Sequence, residues 1–237
     1  MINLSIIIPC YNEGDNIKLL VDKLNTSFKD QSNLEIILVD NGSTDHTLNE
    51  INSAINLSKV FIRCVQVKQN KGYGYGILAG LNEAKGKVLA WTHADLQTEP
   101  TDVLTAYTLL KQHPNKNLVI KGNRKNRQLL ESFFTTGMQW VTYFYLKTNL
   151  HDINAQPKCF TKSFFNIYIK PNAPHDFSLD LFLLFQAKKH GKILDFDVFF
   201  NKRLYGEAKG GGGSNFKTRL KLIKRTLTYI KELSKKL

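Results

Sequence analysis

Short apolar runs at Leu4 to Ile8, Glu35 to Val39, Val60 to Val67, Lys87 to Trp91 and Leu118 to Lys121 are rich in β-branched residues and bounded by turn formers, as buried strands are. Between them, Asp15 to Phe28, Asp45 to Leu57, Tyr73 to Ala84 and Thr101 to Gln112 read as helices. Strand and helix alternate, which predicts an α/β fold: one Rossmann-like, mostly parallel sheet with helices on both faces. Such sheets bind ligands beyond the carboxyl ends of their strands. The loops expected there are the unusual parts of the chain: Pro9 to Glu13 (PCYNE), Asp40 to Asp45 (DNGSTD), Thr92 to Gln97 (THADLQ) and Gly122 to Arg124 (GNR).

After Arg124 the alternation fails. Leu129 to Leu150 is aromatic, with Phe133, Phe134, Trp140, Tyr143, Phe144 and Tyr145. Strand-like pieces return at Lys158 to Thr161 and Lys192 to Phe200, with a helix-like Ser178 to His190 between them. There is no internal repeat, and the expected organisation is one domain over 1–210 followed by a glycine-rich loop and a basic amphipathic C-terminal helix over 211–237. Gly210 to Ser214 reads GGGGS, as a linker does, yet the basic RLYGEAK before it equally suits an active-site loop.

Charge changes this picture at one end. The 237 residues hold 33 Lys and Arg against 20 Asp and Glu, a net of +13, in a composition that is otherwise globular and excludes a disordered or fibrous chain. Residues 216–237 alone carry eight basic residues and one acid, Glu232. Phe216, Leu220, Ile223, Leu227 and Ile230 form an apolar stripe on the same segment. Such a helix suits an anionic lipid surface, nucleic acid or a protein groove, or packs on its own domain. The confinement of charge to one helix and the lack of a nucleic-acid-binding motif argue against a nucleic-acid partner. No apolar run reaches the length of a membrane span, the start carries no secretory pattern, and Cys10, Cys64 and Cys159 are odd in number and far apart. A cytoplasmic protein, peripheral on the cytosolic face of a membrane, is the expectation.

The candidate chemistry lies in ordered motifs. Ile6 to Glu13 reads IIIPCYNE, Val39 to Thr47 VDNGSTDHT, Asn70 to Gly80 NKGYGYGILAG, His93 to Pro100 HADLQTEP, Lys121 to Arg124 KGNR and Arg203 to Lys209 RLYGEAK. Asp40 ends a strand, where a carboxylate can accept from a base or ribose, while Gly42 suits the turn and Asp45 a helix cap. Gly74, Gly76 and Ala79 satisfy GxGxxA but follow the third strand rather than the first, which argues against a dinucleotide fingerprint and for a helix that starts close to a ligand.

Taken in order over residues 3–210, these motifs resemble family 2 glycosyltransferases of the GT-A fold, above all the dolichol-phosphate mannose synthase and bactoprenol glucosyltransferase branch. The resemblance implies a nucleotide diphosphate sugar donor held by Pro9, Tyr11, Glu13, Asp40, Asn41 and Gly74, with Asn41 in place of the family's second acid. It implies a divalent metal, Mg or Mn, at His93, Asp95 and Gln97, where hard ligands offset the charge of the leaving diphosphate. His93 replaces an acid, which weakens the case for Mg²⁺ and leaves room for Mn²⁺, since imidazole suits transition metals better than magnesium. Arg124, Arg203 and Lys209 would hold the donor diphosphate or a phosphate on the acceptor. The implied reaction is inverting transfer to a lipid-linked, polyprenyl-type phosphate; the alternative acceptor is a hydroxyl of a saccharide, lipid or protein. A hydroxyl acceptor needs a base, for which Asp180 and Asp152 are the candidates, whereas a phosphate is already anionic.

Overall fold

The computed structural model describes residues 1–113, 115–125, 140–201, 203 and 216–235, with 216–222 described by backbone alone. Its elements are β1 (Leu4–Cys10), α1 (Gly14–Phe28), β2 (Leu34–Asn41), α2 (Thr47–Asn56), β3 (Ile62–Val67), α3 (Tyr73–Glu83), β4 (Val88–Trp91), α4 (Thr101–Gln112) and β5 (Leu118–Lys125). Helical residues 140–146 (α5) follow. Then come β6 (Lys158–Thr161), α6 (Lys162–Phe164) with a π-helical extension over Phe165–Ile169, α7 (Leu179–His190), β7 (Lys192–Phe199) and α8 (Phe216–Ser234). The alternation read from the sequence is present, with one correction. β5 runs on to Lys125 because β7 pairs with it in parallel as far as Lys125 opposite Phe199, so Arg124 lies within the strand end and not in the loop after it.

The strands form one seven-stranded sheet in the order β3-β2-β1-β4-β6-β5-β7. β1 to β4 are mutually parallel, β5 and β7 are parallel, and β6 runs against both β4 and β5. Two reversals restore direction, so β1, β2, β4, β5 and β7 all end at the same edge. β6, being reversed, begins there.

Period-2 alternation divides the strand side chains between two cores. Ile7, Ile37, Val39, Leu89, Trp91, Val119 and Phe160 pack with α3, α6, α7 and the buried Ile230 and Leu233 of α8. Ile6, Ile8, Ile36, Leu38, Ala90, Ile120 and Cys159 face the other way, against Leu20, Leu24 and Phe28 of α1, Ile51 of α2 and Val103 and Ala106 of α4. Trp91, fully buried, meets the Phe160 ring edge-on at 5.4 Å. The end of the α8 stripe is thus spent on the protein's own core, through Ile230 and Leu233. The glycine-rich segment 210–214 lies outside the described residues. Cys10 and Cys159 are buried, and all three cysteines are free thiols.

At the edge remote from those strand ends, the side chain of Glu35 is fully buried and accepts from Ser5 Oγ at 2.6 Å, the Lys85 amide at 2.6 Å and Arg63 Nε at 2.9 Å. Burial alone would raise its pKa, but these donors outweigh it and hold the carboxyl below its ordinary value. Ser5 Oγ in turn accepts from Gly86 N at 2.7 Å, so one carboxylate knits β1, β2, β3 and the α3–β4 turn together. A folded-state pKa below the unfolded one gives stability that is complete above the unfolded value of about 4.3 and lost as pH falls through the folded value. Glu35→Ala, which strands Arg63 and the Lys85 amide, is expected to cost on the order of 3 kcal/mol at pH 7 in denaturant unfolding. The difference from the wild type should shrink as the pH is lowered below about 4.

Candidate active site

The first two loops at the active edge are sewn together. Asn12, in a left-handed backbone conformation (φ 52°), takes a bond from its own amide to Ser43 Oγ at 3.1 Å and accepts from Thr44 N at 2.8 Å. Glu13 N donates to Thr47 Oγ1 at 2.8 Å. Asp45 accepts from Thr47 N at 3.0 Å and from Gly14 N at 3.3 Å. It therefore caps the start of α2, as expected, and ties that cap to α1. Asp40 is buried and turns one oxygen to the Ser43 amide at 3.0 Å. Pro9, Tyr11 and Glu13 are half-buried on the same rim.

The loop after β4 carries the implied metal ligands. Asp95 is buried but for a small remnant, and its Oδ1 accepts from Gln97 N at 3.2 Å. Leu96 between them sits at φ 57°, a strained conformation for a branched side chain. Gln97 Nε2 donates to Asn201 O at 3.1 Å, and Asn201 N returns a bond to Gln97 O at 2.8 Å, so the loop is strapped to the chain leaving β7. That strap delivers Arg203: one Nη bonds the Glu13 carboxylate and Nη1 lies 3.6 Å from Asp95 Oδ2. Glu13, Asp95 and Arg203, expected at one site from separate motifs, are brought together. Among the described residues no group of three or more His, Cys, Asp or Glu side chains is arranged to hold a metal alone. His93, Asp95 and Gln97 share this one loop, and their imidazole, carboxylate and amide groups are donor types that a divalent cation accepts.

The end of β5 builds a second cationic point. Arg124 donates through Nε to both oxygens of Asp152, at 3.0 and 3.2 Å, its Nη2 bonds the same carboxylate, and its amide adds a bond at 2.8 Å. The guanidinium also stands 5.2 Å from the Phe200 ring centroid. Asp152 is itself left-handed, at φ 39°. Asp180, the candidate base, is not presented to an open cleft. It is 2% exposed, 3.1 Å from Lys158 Nζ, and accepts from Gln156 Nε2 at 2.9 Å. Gln156 Nε2 also reaches Tyr73 Oη at 3.3 Å, and the Tyr73 ring stacks on Phe177 at 4.8 Å and on His93 at 5.9 Å. Burial first, then the Asp180 charge, pushes the Tyr73 phenol up and keeps it protonated. Lys121, opposite Lys158 in the sheet, is 1% exposed, with its pKa pushed down to about 8 by burial and by the Lys158 charge.

The glycine-rich segment packs closely on neighbouring parts of the protein at two points. A Cβ on Gly74 would lie 2.6 Å from Pro174 O and 2.7 Å from Asp176 O, so its bareness admits the 174–176 backbone, whose His175 O takes the Tyr75 amide at 2.8 Å. Gly76 likewise makes room for Asn41, whose amide donates to Gly72 O at 3.1 Å. Asn41 thus anchors the start of α3 from a buried position, and its carbonyl oxygen has no hydrogen-bond partner among the described residues. Lys209 lies outside the described residues. Lys121, Tyr73, Gln156 and Lys158 were not singled out from sequence. The available signal was a lysine inside each of two strands read as buried, Lys121 and Lys158.

Comparison with known proteins places this geometry. The chain is 31% identical over 128 residues to a dodecaprenyl-phosphate galacturonate synthase of Rhizobium johnstonii, covering 54% of this chain and 37% of the relative. It is 30% identical over 125 residues to an undecaprenyl-phosphate 4-deoxy-4-formamido-L-arabinose transferase of Proteus mirabilis, covering 52% of this chain and again 37% of the relative. The matches span well under half the length of these curated relatives. Glucosyl-3-phosphoglycerate synthase from Mycobacterium tuberculosis, solved with Mn²⁺, UDP-glucose and phosphoglyceric acid, superposes with a TM-score of 0.73 at 14% identity. That superposition covers 96% of this chain and 79% of the other, and it shows the shared GT-A fold. The model of "Glycosyl transferase family 2" matches residues 5–170, through β1, β2, the Asp95 loop and β5, and the chain belongs to that family.

Proposed function

We propose that this chain transfers a glycosyl group, with inversion, from a nucleotide diphosphate sugar to a polyprenyl-type phosphate. The observation that carries the choice of acceptor is the state of Asp180. A carboxylate buried against Lys158 and Gln156 is badly placed to take a proton from an acceptor hydroxyl. An acceptor phosphate needs no such base: its anionic oxygen attacks the anomeric carbon while the bond to the diphosphate breaks and the nucleoside diphosphate leaves with the electron pair. The curated relatives carry the names of a dodecaprenyl-phosphate galacturonate synthase and an undecaprenyl-phosphate 4-deoxy-4-formamido-L-arabinose transferase, which supports this reading.

The roles follow from placement. The sewn loops with Pro9, Tyr11, Asp40 and Asn41 form the nucleoside rim, and Glu13 orients Arg203 toward the diphosphate beside Asp95. When bound, a divalent cation, Mn²⁺ in preference to Mg²⁺, would be held by Asp95, His93 and Gln97 and supply charge to the leaving diphosphate. Arg124 uses its Nε and Nη2 edge on Asp152 and presents the Nη1 edge to the acceptor phosphate. Lys209 belongs to the same cationic set by its place in the RLYGEAK motif.

A membrane surface is part of the proposal. Trp140, Tyr143 and Phe144 lie at i, i+3 and i+4 on α5 and are 70%, 57% and 69% exposed. Lys147 caps the Phe144 ring at 5.5 Å, and Lys231 of α8 stands 5.8 Å from the neighbouring Tyr145 ring, which sets α5 beside the exposed Lys224, Lys231 and Lys235 of α8. Aromatic rings suit the headgroup boundary, and basic side chains near it gain roughly 1 kcal/mol each from anionic lipid. No helix among the described residues is long and apolar enough to cross a bilayer. The proposed station is peripheral, on the cytosolic face.

A thermal-shift panel of UDP-, GDP- and dTDP-sugars with Mn²⁺ or Mg²⁺ tests the donor, since a ligand at about a hundred times its Kd stabilises by about 2.7 kcal/mol. With the donor so found and undecaprenyl phosphate as acceptor, Asp95→Ala and Arg203→Ala are each expected to lower kcat/KM by about a hundredfold or more with the fold retained. Full activity of Asp95→Ala, or of the wild type in excess chelator, removes the metal from the reaction. Arg124→Ala is expected to reduce transfer to undecaprenyl phosphate; equal transfer to a free sugar hydroxyl by the wild type would favour the other acceptor class.

Vesicles of phosphatidylglycerol should sediment the protein at low salt and release it as salt is raised. Replacing Lys224, Lys231 and Lys235 by Glu, or Trp140 and Phe144 by Ser, should abolish sedimentation while Ile230 and Leu233 keep α8 docked. Unchanged sedimentation of both variants would show that these surfaces do not meet lipid.

A further inference from the structure

Lys158 has none of the roles assigned above, yet it is the most fully buried cation among the described residues. It opens β6, the reversed strand, and so lies at the active edge between Trp91 of β4 and Lys121 of β5. Its side chain is fully buried. The three protons of the ammonium have three acceptors: Ile153 O at 2.8 Å, Ala155 O at 2.5 Å and Asp180 Oδ1 at 3.1 Å. A buried ammonium is tolerated only with such complete pairing.

The two carbonyls belong to the turn that carries Asp152. Ala155 N closes that turn on Asp152 O at 3.0 Å, and the Pro157 carbonyl receives Gly122 N at 3.0 Å. Gly122 must be bare, because a Cβ there would lie 2.1 Å from Gln156 O. The turn is therefore pressed onto the end of β5, two residues before Arg124, and its left-handed Asp152 grips the guanidinium. From the other side, Gln156 joins Asp180 to Tyr73, whose ring stacks on His93 of the metal loop. One ammonium thus fixes both the turn that aims Arg124 and the carboxylate linked through Gln156 and Tyr73 to the His93 loop.

We infer that Lys158 is a positioning residue for transfer: by holding the 152–157 turn it sets Arg124 at the angle from which its outer edge meets the acceptor phosphate. Asp180 serves the same arrangement as counter-ion to Lys158 and not as proton acceptor. This inference rests on the proposed role of Arg124 as acceptor-phosphate ligand.

Lys158→Met alone leaves Asp180 buried without its cation and is expected to fold poorly, so the informative protein is the full chain carrying Lys158→Met with Asp180→Asn. That pair removes both charges and keeps an acceptor for Gln156. Asp180→Asn alone is the control. With the donor identified above and undecaprenyl phosphate, the double variant is expected to show an acceptor KM raised about tenfold or more while the donor KM stays near the wild-type value, since small misplacement of a binding group costs one to two orders of magnitude. Hydrogen exchange of the Asn154, Ala155 and Gln156 amides should accelerate about tenfold or more, with β1 to β4 unchanged. Lys158→Arg, which retains the charge and donors, should recover part of both. Wild-type acceptor KM and wild-type exchange in the folded double variant would overturn the inference. So would an equal fall in kcat alone for the double variant and Asp180→Asn, which would make Asp180 the base. Should the wild type transfer nothing to polyprenyl phosphate, the proposed function fails on its own account. The exchange of residues 154–156 then decides Lys158, acceleration supporting its hold on the Arg124 turn and no change refuting it.

Discussion

Strand direction is the constraint from which the site follows. Because β1, β2, β4, β5 and β7 end at one edge, residues as far apart in sequence as Glu13 and Arg203 arrive on the same rim. The reversed β6 completes this geometry in a way a wholly parallel sheet could not. It enters the sheet at the active edge, so its first residue, Lys158, is buried beneath the loops and not at the remote end. Side chains that would otherwise sit in the apolar core are thereby available to support the polar one.

Electrostatics organise that rim into two stations. At the β1–β4 side, Arg203 lies against two carboxylates, Glu13 and Asp95, and its charge offsets theirs in part. At the β5 side, Arg124 is matched by Asp152, and the buried pair of lysines beneath it is matched by Asp180 and, at 3.8 Å, by Asp195. Arg124 and Arg203, the cations proposed to meet phosphate, are each held by a carboxylate that fixes their direction, a preorganisation that would cost little reordering on binding a polyanion. The strained backbone at Leu96 and Asp152 falls in the loops that carry these stations, where the surrounding bonds can hold such conformations in place.

The C-terminal helix joins this arrangement to the outer surface. Its apolar residues Ile230 and Leu233 close the core on the α7 face, while Arg225 pairs with Asp176 at 2.6 Å, in the segment that packs onto Gly74 and leads into Asp180. The aromatic face of α5 and the exposed lysines of α8 are therefore mechanically continuous with the loops around the site. The surface proposed to meet lipid and the loops around the site belong to one packed body.

Much of this was legible from local pattern. Short β-branched runs and helical stretches specified the parallel strands and the helices between them, because side-chain periodicity is a property of consecutive residues. The ordered motifs, through their resemblance to the family, placed Glu13, Asp95, Arg124 and Arg203 in loops at one end of the sheet. What only the tertiary structure decided is how residues distant in sequence complete one another. No local pattern shows that β6 inserts in reverse between β4 and β5, or that Asn41 and Gly74 support α3 and its neighbouring loop from within. None shows that Asp180 is bound to a lysine 22 positions earlier. Those outcomes depend on strand pairing and on the need of every buried charge for a partner, and both are satisfied across the fold rather than along the chain.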